Sequence, residues 1–103
     1  MSKSPHSKTK QHQFAIQVAS PKYQQFASQY LNTDGTLNNK IRELILERPN
    51  VKGVNVAYDF DTHQWCLDIV TNNVATTTKD PVLSKFPCRI LSLEAAFAAF
   101  PYL

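Results

Sequence analysis

No stretch of the 103-residue sequence approaches 18 consecutive apolar residues, so no segment is expected to span a membrane. The N-terminal residues are polar where a secretory signal needs an apolar run, which points to a cytoplasmic protein. Cysteine is scarce, with Cys66 and Cys88 alone. Two thiols in a chain without an export signal are expected to stay reduced, although their parity leaves one disulfide open. No internal repeat is visible. Residues 1–12 contain no acid but carry Lys3, Lys8 and Lys10, together with His6 and His12. The eight remaining Lys and Arg match the eight Asp and Glu, so the whole net charge of +3 sits on this segment. A basic arm on a neutral body suits contact with phosphates, where each neutralised phosphate releases counterions. An ordinary solvated terminus has the same composition.

What is present is enough for one core. The hydrophobic fraction is 43%, with six Phe, four Tyr and one Trp, which fits a single small domain. Residues 1–12 are polar and aperiodic and are expected to be a disordered basic tail. Residues 13–103 are expected to form one α+β domain: strand–helix–helix over 13–50, then an antiparallel hairpin and a C-terminal helix over 51–103.

The periodicities support that order. Phe14, Ile16 and Val18 alternate with Gln13, Ala15 and Gln17, the pattern of a half-buried strand. Ser20-Pro21 suits a helix start, with Ser as N-cap and Pro in the first turn. Tyr23, Phe26, Ala27, Tyr30 and Leu31 follow on one helical face. Asp34-Gly35 is a turn signal, Thr36 is the expected cap of a second helix, and Leu37, Ile41, Leu44 and Ile45 form its apolar stripe up to Pro49. The period then changes. Val54, Val56, Tyr58 and Phe60 alternate with Asn55, Ala57, Asp59 and Asp61, and after a turn near Thr62-His63-Gln64 Trp65, Leu67 and Ile69 alternate with Cys66, Asp68 and Val70. A hairpin with one buried face is expected. Residues 71–81 are expected to be a loop, residues 88–91 a short third strand, and Ser92 the cap of a last helix with Leu93, Ala96, Phe97 and Phe100 on one face.

Residues 13–48 resemble the ribbon-helix-helix family of DNA-binding proteins. The resemblance rests on the basic arm, the alternating QFAIQV, SPKYQQFASQYL as a first helix directly after that strand, a DGT turn, and TLNNKIRELILE as a second helix. In that family the strands of two chains pair into an antiparallel ribbon whose outer side chains enter the major groove. The resemblance implies a homodimeric regulator that binds DNA. Gln13, Ala15 and Gln17 would face the bases, and Phe14, Ile16 and Val18 the dimer core. Lys8 and Lys10 would add phosphate contacts, and the second-helix N-terminus near Thr36, Asn38 and Asn39 would hold a phosphate on its backbone N–H groups. The same strand could instead join the later hairpin in one intramolecular sheet.

Other motifs carry less. Tyr58-Asp59-Phe60-Asp61-Thr62 looks like the nucleophile motif of haloacid-dehalogenase-type phosphatases, but only about 40 residues follow, too few for that family's sheet. Asp59, Asp61 and His63 alternate and are acceptable metal ligands, yet no fourth ligand stands at recognisable spacing. Cys66 and His63 have no orienting third group. The expected protein is therefore no enzyme and needs no cofactor. A second reading is a small protein-binding module, since the helix-to-hairpin stretch looks like heavy-metal-associated and ACT-type ferredoxin-like domains. Its protein partner would use a sheet edge or the acidic face of Asp59, Asp61 and Asp68.

Overall fold

The structure is a computed structural model that describes residues 20–99. The expected tail, the expected strand over 13–19 and the Phe100 end lie outside the described residues. Two helices come first, α1 (Pro21–Tyr30) and α2 (Asn39–Leu46). Strands β1 (Val51–Asp59) and β2 (Gln64–Thr71) follow, then α3 (Val74–Thr78), a single 3-10 turn (Leu83–Lys85), β3 (Cys88–Ser92) and α4 (Leu93–Ala99).

Helix α1 starts where its sequence dictates. Ser20 is extended, its Oγ accepts from the Tyr23 N–H at 3.1 Å, and Pro21 occupies the first turn. After Tyr30 the chain turns back through a small ladder in which Leu31 bridges Leu37. Gly35, at φ +88°, makes the tight reversal that the Asp-Gly pair foretells. The cap of α2 is Asn38, not Thr36: Asn38 Oδ1 accepts from the Lys40 and Ile41 N–H groups at 2.9 and 3.1 Å. Thr36 is held two residues earlier, where its N–H and hydroxyl both bond Asp34 Oδ1. An Asx-type turn has captured the threonine that the sequence offers as a cap. The helix ends at Leu46, before Pro49.

The hairpin forms as expected, and its register sets Val54 opposite Ile69, Val56 opposite Leu67 and Tyr58 opposite Trp65. Phe60 lies past the strand in the turn and is 59% exposed, so it leaves the buried alternation. Strand β3 joins the other side of β2, parallel to it, pairing Leu67 with Cys88 and Ile69 with Ile90. A parallel neighbour needs a crossover. The segment expected to be a loop supplies it, and contains α3. Asn73 caps α3 through the Thr76 N–H, and buried Thr77 bonds Asn73 O at 2.8 Å and Thr71 Oγ1 at 2.7 Å.

The sheet order β1-β2-β3 makes β2 central. This corrects the expectation of one buried face: Cys66 and Asp68, on the face opposite Leu67, are also buried. Helices α1 and α2 cover the Leu67 face. Their apolar stripes meet the sheet in a core of Phe26, Leu37, Ile45, Val51, Val54, Trp65, Leu67, Ile69 and Leu83. Complete burial of side chains such as Ile45, Leu67 and Ile69 contributes about 1.5–3 kcal/mol each. Aromatic rings run through this layer without a break, from Phe60 to Tyr58, Trp65, Phe26, Tyr30 and Phe86, with neighbouring centroids 4.8–6.3 Å apart. The helix pair thus rests on the sheet of its own chain. Helix α4, capped by Ser92 Oγ, packs on β3 and β2, while Phe97 on it stays 63% exposed.

Candidate nucleic-acid interface

Helix α1 presents two faces with different chemistry. Phe26 points into the core, while Lys22, Gln25 and Gln29, spaced i, i+3 and i+7, lie side by side and exposed. Across from them lie Gln64 and Trp65 at the start of β2, and Lys85 and Pro87 before β3. Between these walls is an open groove of about 370 Å³, with Phe26, Tyr30 and Trp65 forming its apolar side. Its two charged residues are both lysines, and none of its lining residues is acidic. The groove is therefore cationic, rich in amides that donate and accept hydrogen bonds, and edged by aromatic carbon.

The opposite face of the sheet has its charges satisfied internally. Arg89 donates from Nε to Asp68 Oδ1 at 2.8 Å and from Nη2 to Asp68 Oδ2 at 2.9 Å, and its Nη1 lies 3.7 Å from Asp59 Oδ1. The hydrogen bonds to the Asp68 carboxylate hold the Arg89 proton more firmly than usual. Asp68 is thus half of a buried ion pair and does not belong to an acidic surface with Asp59 and Asp61. Asp59 accepts from the Asp61 N–H at 2.9 Å, and this bond, helped by Thr62 and Arg89, holds its carboxyl below the ordinary value. Its oxygen is engaged in shaping the hairpin turn, where His63 adopts φ +57°. Among the described residues, no three His, Cys, Asp or Glu side chains come together where they could hold a metal ion.

The cysteines stand on opposite faces. Cys88 is in register with Leu67 and shares its side of the sheet; Cys66, one residue earlier on β2, faces the other way. Both are free thiols. Burial pushes the Cys66 thiol up to about 11, and the neighbouring Asp68 carboxylate, 3.8 Å away, adds to the effect. Burial alone takes Cys88 to about 11.

Of the residues expected to touch DNA, Lys8, Lys10, Gln13, Ala15 and Gln17 lie outside the described residues. Thr36, Asn38 and Asn39 are close together at the start of α2. Asn38 Oδ1 already occupies the Lys40 and Ile41 N–H groups, so a phosphate binding there would have to displace it. The sequence marks Phe26, Tyr30 and Trp65 as apolar positions but does not mark the polar groove residues. Lys22, Gln25 and Gln29 are visible in hindsight as the polar face of α1. Lys85 and Pro87 are not, because nothing local says that a crossover returns them to that helix.

Among the described residues, no helix is long and apolar enough to cross a membrane. Compared with known protein families, curated proteins and solved structures, the chain has no match.

Proposed function

We propose that the chain is a small DNA-binding protein that holds the phosphate backbone with its basic N-terminal segment and with the Lys22–Lys85 groove. The observation that carries this reading is the convergence of the two lysines on a groove free of carboxylates, in a body whose charges balance as a whole. Such a surface attracts polyanions and repels none of their phosphates. The segment holding Lys3, Lys8 and Lys10 adds sequence-independent affinity. In its finer form the reading is a homodimeric transcriptional regulator, in which residues 13–19 of two copies pair and present Gln13, Ala15 and Gln17 to the bases. Helices α1 and α2 would then keep their places on their own sheets, with the pairing made by the strand alone.

The test is a fluorescence-anisotropy titration of the full chain with labelled DNA across a salt series, alongside sedimentation of the free protein. Affinity that falls steeply with salt and is reduced by removing residues 1–12 supports the reading. No binding at low salt overturns it, and a monomer at all concentrations overturns the dimeric form.

A second reading is favoured by β1. Among the described residues its outer edge has no partner strand, and a nine-residue edge suits strand addition by a protein partner. Recovery of a single protein partner without nucleic acid, abolished by a proline at an outward-pointing β1 amide, would favour it over DNA binding.

A further inference from the structure

We propose that the groove between α1 and the segment before β3 is a seat for single-stranded nucleic acid, taking one nucleotide with its base against the aromatic wall and its phosphates on Lys22 and Lys85. The inference rests on the nucleic-acid reading above and specifies the form of strand that this site accepts.

Size is the first argument. A volume of about 370 Å³ suits a single nucleotide unit, and a base can enter it only when free of its pairing partner. Chemistry is the second. Gln25 and Gln29 on one wall and Gln64 on the other offer amide groups, both donor and acceptor. Such groups match the Watson–Crick edges of bases, which only an unpaired strand leaves open. Half-buried Tyr30 supplies apolar surface on which a base can lie, backed by Phe26 and Trp65, which are buried beneath it. Charge is the third. A lysine contributed from each side lets the backbone on both sides of the seated base meet a cation. The groove lacks the carboxylates that a basic peptide would need.

Trp65 is the chain's single tryptophan and lines the groove, so its fluorescence is a built-in probe. The full chain is titrated with oligothymidylate, oligouridylate and a mixed-sequence duplex, following Trp65 emission. The same titrations are repeated with Lys22→Glu and Lys85→Glu, whose side chains are exposed and whose folding is checked by circular dichroism. Seating of a strand changes the Trp65 emission, favours single strands over duplex, and weakens by about tenfold in each lysine variant. Duplex binding with no single-strand preference, or single-strand binding that the lysine variants leave intact, overturns the inference while the DNA-binding reading stands. Absence of binding to all three overturns both.

Discussion

Arg89 on β3 clamps Asp68 on the adjacent β2 with two parallel hydrogen bonds, 2.8 and 2.9 Å long, across a register that places the two residues side by side. Asp68 is 4% exposed, so its charge has little water to fall back on. Removing the arginine leaves a buried carboxylate unpaired, which costs far more than a surface ion pair is worth. The Arg89 side chain is 38% exposed, which admits some solvent and places the loss below the fully buried limit. Arg89→Met is expected to destabilise by about 2–3 kcal/mol in urea unfolding, and Arg89→Lys to recover only part, because an ammonium cannot make the two-pronged contact. The double change Asp68→Asn with Arg89→Met should cost less than Arg89→Met alone. If it costs more, the pair is not the source of the stability.

Acid should weaken the fold through Asp80. Burial acts to raise its carboxyl, but Arg48 Nε at 2.9 Å and the Val82 N–H at 2.8 Å, with Leu83, bond the charged form and bring it below the ordinary 3.8. A carboxylate lowered on folding contributes stability above its unfolded value and loses it as pH falls through the folded value. Stability should therefore be flat above pH 5 or so and decline below about pH 4. Asp80→Asn should be less stable at neutral pH and show a shallower decline. An unchanged slope in that variant would remove Asp80 from the account.

The thiols set an alkaline limit. Both are pushed up to about 11 by burial, from an ordinary value of 9.0. Unfolded thiols ionise first, so this contribution is complete below pH 9 and is lost as pH rises from about 9 to about 11. The same shift keeps them protonated and slow to react near neutrality. In the native protein, alkylation by iodoacetamide at pH 8 should be much slower than in urea for both residues. Oxidation should yield no bond between Cys66 and Cys88, since their side chains project from opposite faces of the sheet. A rapid intramolecular disulfide in native buffer would contradict the register of β2 with β3.

The two candidate caps of α2 make separable predictions. Asn38 Oδ1 bonds two orphan N–H groups, so Asn38→Ala should cost about 1 kcal/mol. Thr36→Ala touches only an exposed turn with Asp34 and Asn32 and should cost less than about 0.5 kcal/mol. The reverse order would restore Thr36 as the cap.

Where local chemistry decides the outcome, the sequence is readable. Ser20-Pro21 specifies the start of α1, Asp34-Gly35 the reversal after it, and the alternation of Val54, Val56 and Tyr58 and of Trp65, Leu67 and Ile69 the hairpin. Where distant partners decide, it is not. Asp68 looks like an outward-facing acid until Arg89, 21 residues later, arrives beside it. The parallel direction of β3 depends on a crossover whose helix, Val74–Thr78, is built from β-branched residues of poor helix propensity at every position but Ala75. Half of the candidate groove has the same origin: α1 contributes Lys22, Gln25 and Gln29 from a legible amphipathic helix, but Lys85 and Pro87 meet it only through that crossover.

That crossover helix yields the last prediction. Val-Ala-Thr-Thr-Thr does not hold a helix by propensity, so α3 must be held by its contacts. Thr71, fully buried at the end of β2, is the hub: its hydroxyl bonds Asn50 O at 2.9 Å, accepts from the Asn73 N–H at 3.0 Å and meets Thr77 Oγ1 at 2.7 Å. Thr71→Val keeps the shape and strips a partner from each, at a cost of about 1–2 kcal/mol, since Asn50 O keeps the Asn72 N–H and Thr77 Oγ1 keeps Asn73 O. Thr77→Val removes the bonds to Thr71 Oγ1 and Asn73 O, but Thr71 retains Asn50 and Asn73 and Asn73 O retains the Thr77 N–H, so it should cost less. In the double variant the losses should fall short of their sum, since the two hydroxyls bond each other. Native-state hydrogen exchange gives the local reading: the Thr76 and Thr77 amides, which bond back to Asn73, should exchange faster in Thr71→Val while those of central β2 change little. If both single variants are neutral, α3 is held by packing of Leu83 and its neighbours and not by the threonine pair.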